Sequence, residues 1–135
     1  MPVGLRQPWP GSFAGSLFVR QGPRGAEPGL FVHGLGGSAT NWTDLMELLG
    51  DAVDGQALDL PGFGRSAPPA DGRYTVGAHA RAVVHHLEAS RRGPVHLFAN
   101  SLGGAVSIRV AVDRPDLVRT LTLVSPSPRT KRSYR

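Results

Sequence analysis

A serine set between an apolar strand and a helix limits this chain more than any other feature in it. Val95 to Ala99 is a short apolar run of buried-strand length, and Leu102, Ala105, Val106, Ile108, Val110 and Ala111 recur at helical spacing from Leu102 to Val112. Only Asn100 and Ser101 lie between. A strand that becomes a helix within two residues forces the turning residue into a strained backbone, and small neighbours are needed so that helix and strand can approach closely. Gly103 and Gly104 meet that need. The corner exposes the Ser101 hydroxyl at the carboxyl edge of a sheet and aims the unpaired N–H groups of a helix N-terminus at the same place. Ser101 then has two readings: a reactive hydroxyl held out at a corner, or a serine that caps a helix.

A second glycine-rich corner comes after another buried strand. Leu30 to His33 runs directly into Gly34-Leu35-Gly36-Gly37-Ser38. With no side chains in the way, main-chain N–H groups of such a loop can point into an open site and cradle a phosphate or an oxyanion. The phosphate reading fails on detail, because there is no G-x-x-x-x-G-K-[ST] and G-x-G-G lacks the dinucleotide spacing. A third strand, Gln56 to Leu60, leads into Asp59-Leu60-Pro61-Gly62-Phe63-Gly64-Arg65-Ser66, which its Pro and Gly alone mark as turns.

Taken together, these three segments resemble the α/β-hydrolase family. Ala99-Asn100-Ser101-Leu102-Gly103-Gly104 is similar to its G-x-S-x-G nucleophile elbow, with Ala99 where the family most often has glycine. His33-Gly34-Leu35-Gly36-Gly37 is similar to its H-G-x-G-G oxyanion loop, and Asp59 to Ser66 to its D-x-x-G-x-G-x-S loop, in the family's order and spacing. The resemblance implies that Ser101 is a nucleophile acting on a small ester-like or activated carbonyl substrate, and that the N–H groups of Leu35 and Leu102 form the oxyanion hole. It makes His33, Gly34, Gly36, Gly37, Gly103, Asp59, Gly62 and Gly64 supporting residues, with His33 holding its loop by hydrogen bonds rather than acting as a base. No metal site and no metal or organic cofactor is implied. Serine rather than aspartate at the elbow points away from dehalogenase and epoxide-hydrolase chemistry, leaving esterase, lactonase, haloperoxidase-like and carbon–carbon hydrolase readings open.

The remaining segments complete an α/β pattern. Ser12 to Gln21 reads as one or two strands and Gln21 to Gly29 as a turn. The spacing predicts a helix over Trp42 to Leu49, capped by Thr40 or Asn41, with Leu45, Leu48 and Leu49 facing the core. It predicts another from Tyr74 or Thr75 to about Ser90, carrying His79, His85 and His86 as partly exposed residues; their spacing does not suit a metal site. His96 is expected in a strand facing a helix layer. Arg114-Pro115-Asp116 stops the elbow helix, and Val118 to Val124 is a last strand. Strands alternating with helices give a mostly parallel sheet with helices on both faces and a site at the strand carboxyl ends.

By the resemblance, this is the N-terminal part of the α/β-hydrolase fold, truncated before the cap and last strands. The family's acid and histidine come after the elbow, beyond a cap that begins past Val124. No histidine follows Ser101, and Asp113 and Asp116 sit at the far end of the elbow helix. The chain is therefore expected to be inactive alone. Residues 1–128 read as a partial hydrolase domain and 129–135 as a basic tail. An unpaired strand from Val118 to Val124 would be an open sheet edge, inviting self-association or pairing with another chain and poor solubility. Two other readings stand beside this one: a non-catalytic binding or assembly fragment of the fold, and the product of a truncated or frame-shifted gene, prompted by the abrupt charge change after Pro128.

Charge and composition narrow the partners. The net charge of +5 resides mostly in Arg129, Lys131, Arg132 and Arg135, so residues 1–128 carry eleven basic against ten acidic side chains. A near-neutral body with a short basic end, and one aromatic in it, is not a nucleic-acid surface. No apolar run approaches the roughly 18 residues of a membrane span. The chain has no cysteine, which rules out disulfides and thiolate metal sites and fits a cytoplasmic protein. Met1 to Gly11, rich in Pro and Gly with Trp9 as its large anchor, reads as a lead-in without the apolar core of a signal peptide.

Overall fold

The computed structural model describes residues 11–14, 17–69 and 71–125, the first four by their backbone; the lead-in and the basic tail lie outside the described residues. Six strands form one sheet: β1 (Gly11–Ala14), β2 (Leu17–Gln21), β3 (Glu27–Val32), β4 (Val53–Leu58), β5 (Val95–Asn100) and β6 (Val118–Val124), in the order β1-β2-β4-β3-β5-β6. β1 with β2 and β2 with β4 are antiparallel, and all other pairs are parallel. The middle strand β3 has Leu30, Phe31 and Val32 wholly buried, the continuous apolar run that a parallel strand covered on both faces requires. Its last residue is level with Leu58 on one side and Ala99 on the other. The chain therefore leaves β3, β4 and β5 at one edge, and the segments starting at His33, Asp59 and Ser101 emerge side by side.

Helices cover both faces. α2 (Val76–Ser90) and α3 (Leu102–Asp113) lie on one, where Ala80, Val83, Leu87, Val106 and Val110 pack on Leu30, Val32, Leu58 and Leu97. α1 (Thr43–Leu48) lies on the other, with Trp42 and Met46 against Phe31 and Ala57. The Phe31 ring stacks on Phe98 at 4.5 Å and meets Trp42 at 5.3 Å. Thr75 caps α2 through a 3.0 Å bond from the Ala78 N–H, and Pro115 ends the α3 region in a short turn before β6.

Several expectations shift. α1 is preceded by a 3₁₀ turn, Ala39–Trp42, whose cap is Ser38: its hydroxyl accepts from the Thr40 N–H, while the Asn41 side chain accepts from the Ser38 N–H at 3.0 Å. A 3₁₀ turn winds three residues per turn and so rotates the helix that continues from it. Met46 thus becomes the buried residue of α1, and Leu48, expected in the core, is 83% exposed. β3 and β4 start three residues earlier than their apolar runs, because Glu27 and Asp54 are held by the ladder itself, opposite Val53 and Pro28. His79 and His86 are buried rather than partly exposed, since α2 turns that side toward the sheet. His96 does not face a helix layer. It bridges neighbouring strands, with Nε2 at 2.5 Å from Glu27 Oε1 and Nδ1 at 2.7 Å from Thr120 Oγ1.

Phe31→Ala is expected to lower stability by about 3–5 kcal/mol, the usual cost of emptying a fully buried aromatic site. Leu48→Ala, at a solvent-facing position, should stay within about 0.5 kcal/mol. Urea unfolding of the two variants checks the contrast.

Candidate active site

The corner between β5 and α3 is a single residue. Asn100 ends the strand, Leu102 begins the helix, and Ser101 turns between them at φ 54° and ψ −119°, the mirror image of extended backbone and a place where L-residues carry strain. The Ser101 carbonyl accepts from the Gly104 N–H at 2.8 Å, and its N–H donates to Val124 O at 3.3 Å in β6. The Ser101 side chain makes no capping bond. Backbone alone therefore caps α3, and Ser101 is not a side-chain helix cap. A Cβ on Gly103 would run into the carbonyl oxygens of Val32 and His33, so this glycine lets α3 rest on the end of β3. Ala99, wholly buried beside Val32 and Leu123, accommodates its extra methyl in the core.

The glycine loop lies against this corner. A Cβ on Gly34 would stand 2.9 Å from Ser101 Cβ, so no larger residue fits there without displacing one of the two segments. The Gly37 N–H donates to Gly34 O at 3.0 Å, closing a turn with Leu35 and Gly36 at its tip; Gly36 has φ +75°. A side chain at Gly37 would strike the Asn41 carboxamide. Leu35 thus lies in a turn that touches Ser101 through Gly34, and Leu102 is the first residue of α3, where helix N–H groups have no intrahelical partner.

Two buried polar residues hold the loops. His33 is wholly buried; its Nε2 accepts from the Leu60 N–H at 2.9 Å, which puts the ring proton on Nδ1, donated to Gly34 O at 2.7 Å. Burial holds its pKa below the ordinary histidine value. With both nitrogens occupied, His33 is not available as a base. Asp59 is 2% exposed; Oδ1 accepts from the Ala39 N–H at 2.6 Å and Oδ2 from the Arg65 N–H at 2.8 Å. Gly64, at φ +53°, leaves room for that carboxylate, and Gly62, at φ +84°, lies under the Tyr74 ring. The Ser66 hydroxyl donates to Asp59 O at 2.5 Å and accepts from the Phe18 N–H at 2.9 Å. Each marked position of D-x-x-G-x-G-x-S thus has a packing or hydrogen-bonding reason. Sequence reasoning gave no role here to Tyr74, which covers Gly62, or to Phe63 of the loop itself and His79, whose rings meet; single rings outside a periodic pattern carry no signal of that role.

His86, Asp113 and Asp116 have partners away from the Ser101 corner. His86 Nε2 lies 3.2 Å from Gln56 Oε1, and burial, with Arg92 and His85 adding to it, pushes its pKa down to about 4. Asp113 pairs with Arg109 and Asp116 with Arg114. Among the described residues no three His, Cys, Asp or Glu side chains gather as a metal site, and no helix is long and apolar enough to cross a membrane.

Residues 30–134 match the family model for the alpha/beta hydrolase fold. The chain belongs to this family. It is 39% identical over 109 residues to the dihydrolipoyllysine-residue acetyltransferase component of the acetoin cleaving system of Cupriavidus necator, covering 81% of this chain and 29% of that protein. It is 36% identical over 99 residues to an esterase of Mycobacterium tuberculosis, covering 73% of this chain and 33% of the esterase. Among solved structures, a bacterial membrane phospholipase A superposes with a TM-score of 0.78 at 30% identity, over 84% of this chain and 37% of the phospholipase. The chain thus spans about a third of the length of these relatives.

Glycine adopts the Ser101 conformation without strain, so Ser101→Gly should be more stable than Ser101→Ala by about 1–3 kcal/mol; equal urea midpoints would contradict a strained corner. Acid should also weaken the fold. His33, His79 and His86 have folded pKa values below the ordinary 6.5, so below that pH the unfolded chain binds protons that the folded one refuses. Their contribution is whole above about pH 6.5 and is lost as the pH falls below it; for His86, whose span runs from 6.5 to about 4, it is worth roughly 3 kcal/mol. Urea midpoints at pH 7.5, 6 and 4.5 measure it, and a flat series would mean that these rings are not buried neutral.

Proposed function

We propose that Ser101 is the nucleophile of a serine hydrolase acting on ester-like or activated carbonyl substrates, with the N–H groups of Leu35 and Leu102 as the oxyanion hole. The observation that carries this reading is the strained Ser101 corner, whose hydroxyl takes no part in capping α3 and whose Cβ abuts Gly34 of the glycine loop. The esterase and phospholipase among its relatives support the substrate class.

In this mechanism Ser101 Oγ attacks the carbonyl carbon and the carbonyl electron pair moves onto its oxygen, where the two N–H groups receive it. Each such donor is worth about 3 kcal/mol of barrier. Collapse of the tetrahedral species expels the alcohol and leaves an acyl ester on Ser101, which water then hydrolyses. The attack needs a base for the serine proton and an acid to orient the base. His33 has spent both ring nitrogens, and His86 and His96 are bonded to Gln56, Glu27 and Thr120. In this reading base and acid come from outside the described residues, and the described part alone works several thousandfold below the complete enzyme.

A fluorophosphonate probe phosphonylates an activated serine and needs no ester substrate; without a base the reaction slows with the rest of the chemistry, so long incubation at high probe concentration is used. The expected result is one phosphonate per chain, mapped by peptide mass spectrometry to Ser101 and lost in Ser101→Ala. Labelling spread over other serines, or none, would sink the nucleophile assignment.

A further inference from the structure

A stack of aromatic rings joins the first turns of α2 to the glycine loop. The centroids of His33 and Phe63 are 5.3 Å apart, those of Phe63 and His79 6.0 Å, and Tyr74 meets His79 edge-on at 6.1 Å. His79 is 1% exposed, and its Nδ1 is buried with no hydrogen-bond partner among the described residues. Leaving a polar atom in that state costs on the order of 1–3 kcal/mol, which an apolar side chain at position 79 would avoid.

Phe63 belongs to the Asp59–Ser66 loop: its N–H donates to Leu60 O and its carbonyl accepts from the Ser66 N–H, both at 2.9 Å, which fixes its backbone, while its ring lies between those of His33 and His79. The Leu60 N–H in that loop holds His33 Nε2, and His33 Nδ1 holds Gly34 O. Ring contact and hydrogen bonding thus both lead from Phe63 to His33 and on to Gly34, which touches Ser101.

We propose that His79 is a positioning residue for the Ser101 site, its ring setting through Phe63 and His33 where the Gly34–Gly37 turn stands against the serine. This rests on the roles proposed above for Ser101 and that turn. The titratable groups around the stack are His33 and Tyr74 in the stack itself and Asp59, which faces His33. Burial, and secondarily the nearness of His33, keep His79 neutral near pH 7, so acid puts a charge into the stack. A displacement of about 1 Å in groups that orient a reaction can cost up to about 100-fold in rate.

The test compares the full chain with His79→Ala and His79→Phe, the second keeping a ring without a proton should the first fail to fold. Two readouts are followed from pH 5 to 7.5: the rate of fluorophosphonate labelling at Ser101, and the amide resonances of Gly34, Gly36 and Gly37. His79→Ala should label about 10- to 100-fold more slowly at pH 7.5 and shift the glycine resonances. His79→Phe should keep the rate at pH 7.5 and change the acid limb of both readouts, because a ring that acid would charge is gone. Wild-type rates, resonances and acid limb in both variants would overturn the proposal. Should wild type take no label, the nucleophile assignment fails, and the glycine resonances still decide the role of His79: unchanged in both variants, they refute it.

Discussion

The close approach of α3 to the end of β3 is the contact on which the site depends. Gly103 lies where a Cβ would meet the Val32 and His33 carbonyls, and the helix can take this place only because Ser101 turns the chain in one residue. Strain at the corner and contact at the glycine are two sides of one constraint. The core on that face supplies what offsets them: Leu30, Val32 and Leu97 of the sheet are wholly buried against α2 and α3, as are Val106 and Val110 of α3 itself. A strained residue persists where its surroundings over-determine it, and here both flanking elements are anchored in the core.

Irregular backbone at a buried edge leaves N–H and carbonyl groups that need partners. His33 and Asp59 provide them. The imidazole joins Gly34 O to the Leu60 N–H, and the carboxylate joins the Ala39 and Arg65 N–H groups. Both side chains span from the loop after β3 to the loop after β4, so the two loops are fixed relative to each other as well as to the sheet. Removing water from these polar groups is tolerable because each has its partners at ordinary hydrogen-bond lengths.

Other parts of the described chain carry less constraint. β6 has a ladder partner on one side, β5, and from Thr120 on alternates exposed with half-buried residues. Its link to the site is the bond from the Ser101 N–H to Val124 O, so the same strand both borders the sheet and steadies the corner.

Much of this was legible in local sequence. Val118 to Val124 forms a strand over those residues, Thr75 opens α2, and the three loops stand where their Gly, Pro and Asp residues imply. These are features that neighbouring residues decide: an apolar run, a cap, a glycine where φ must be positive. The burial of His79 and His86, the exposure of Leu48 and the bridging by His96 were not legible. Each depends on how far a helix has been rotated by the turn before it, or on which strands lie alongside, and those are set by packing between segments distant in the chain. The sequence by itself determined the serine corner between strand and helix, its two companion loops and the α/β pattern, because turn chemistry and hydrophobic period are local. Only the tertiary structure decided which ring nitrogens are spent and which side chains stand behind the loops, because hydrogen bonds and ring contacts are made between residues that meet only when the sheet has formed.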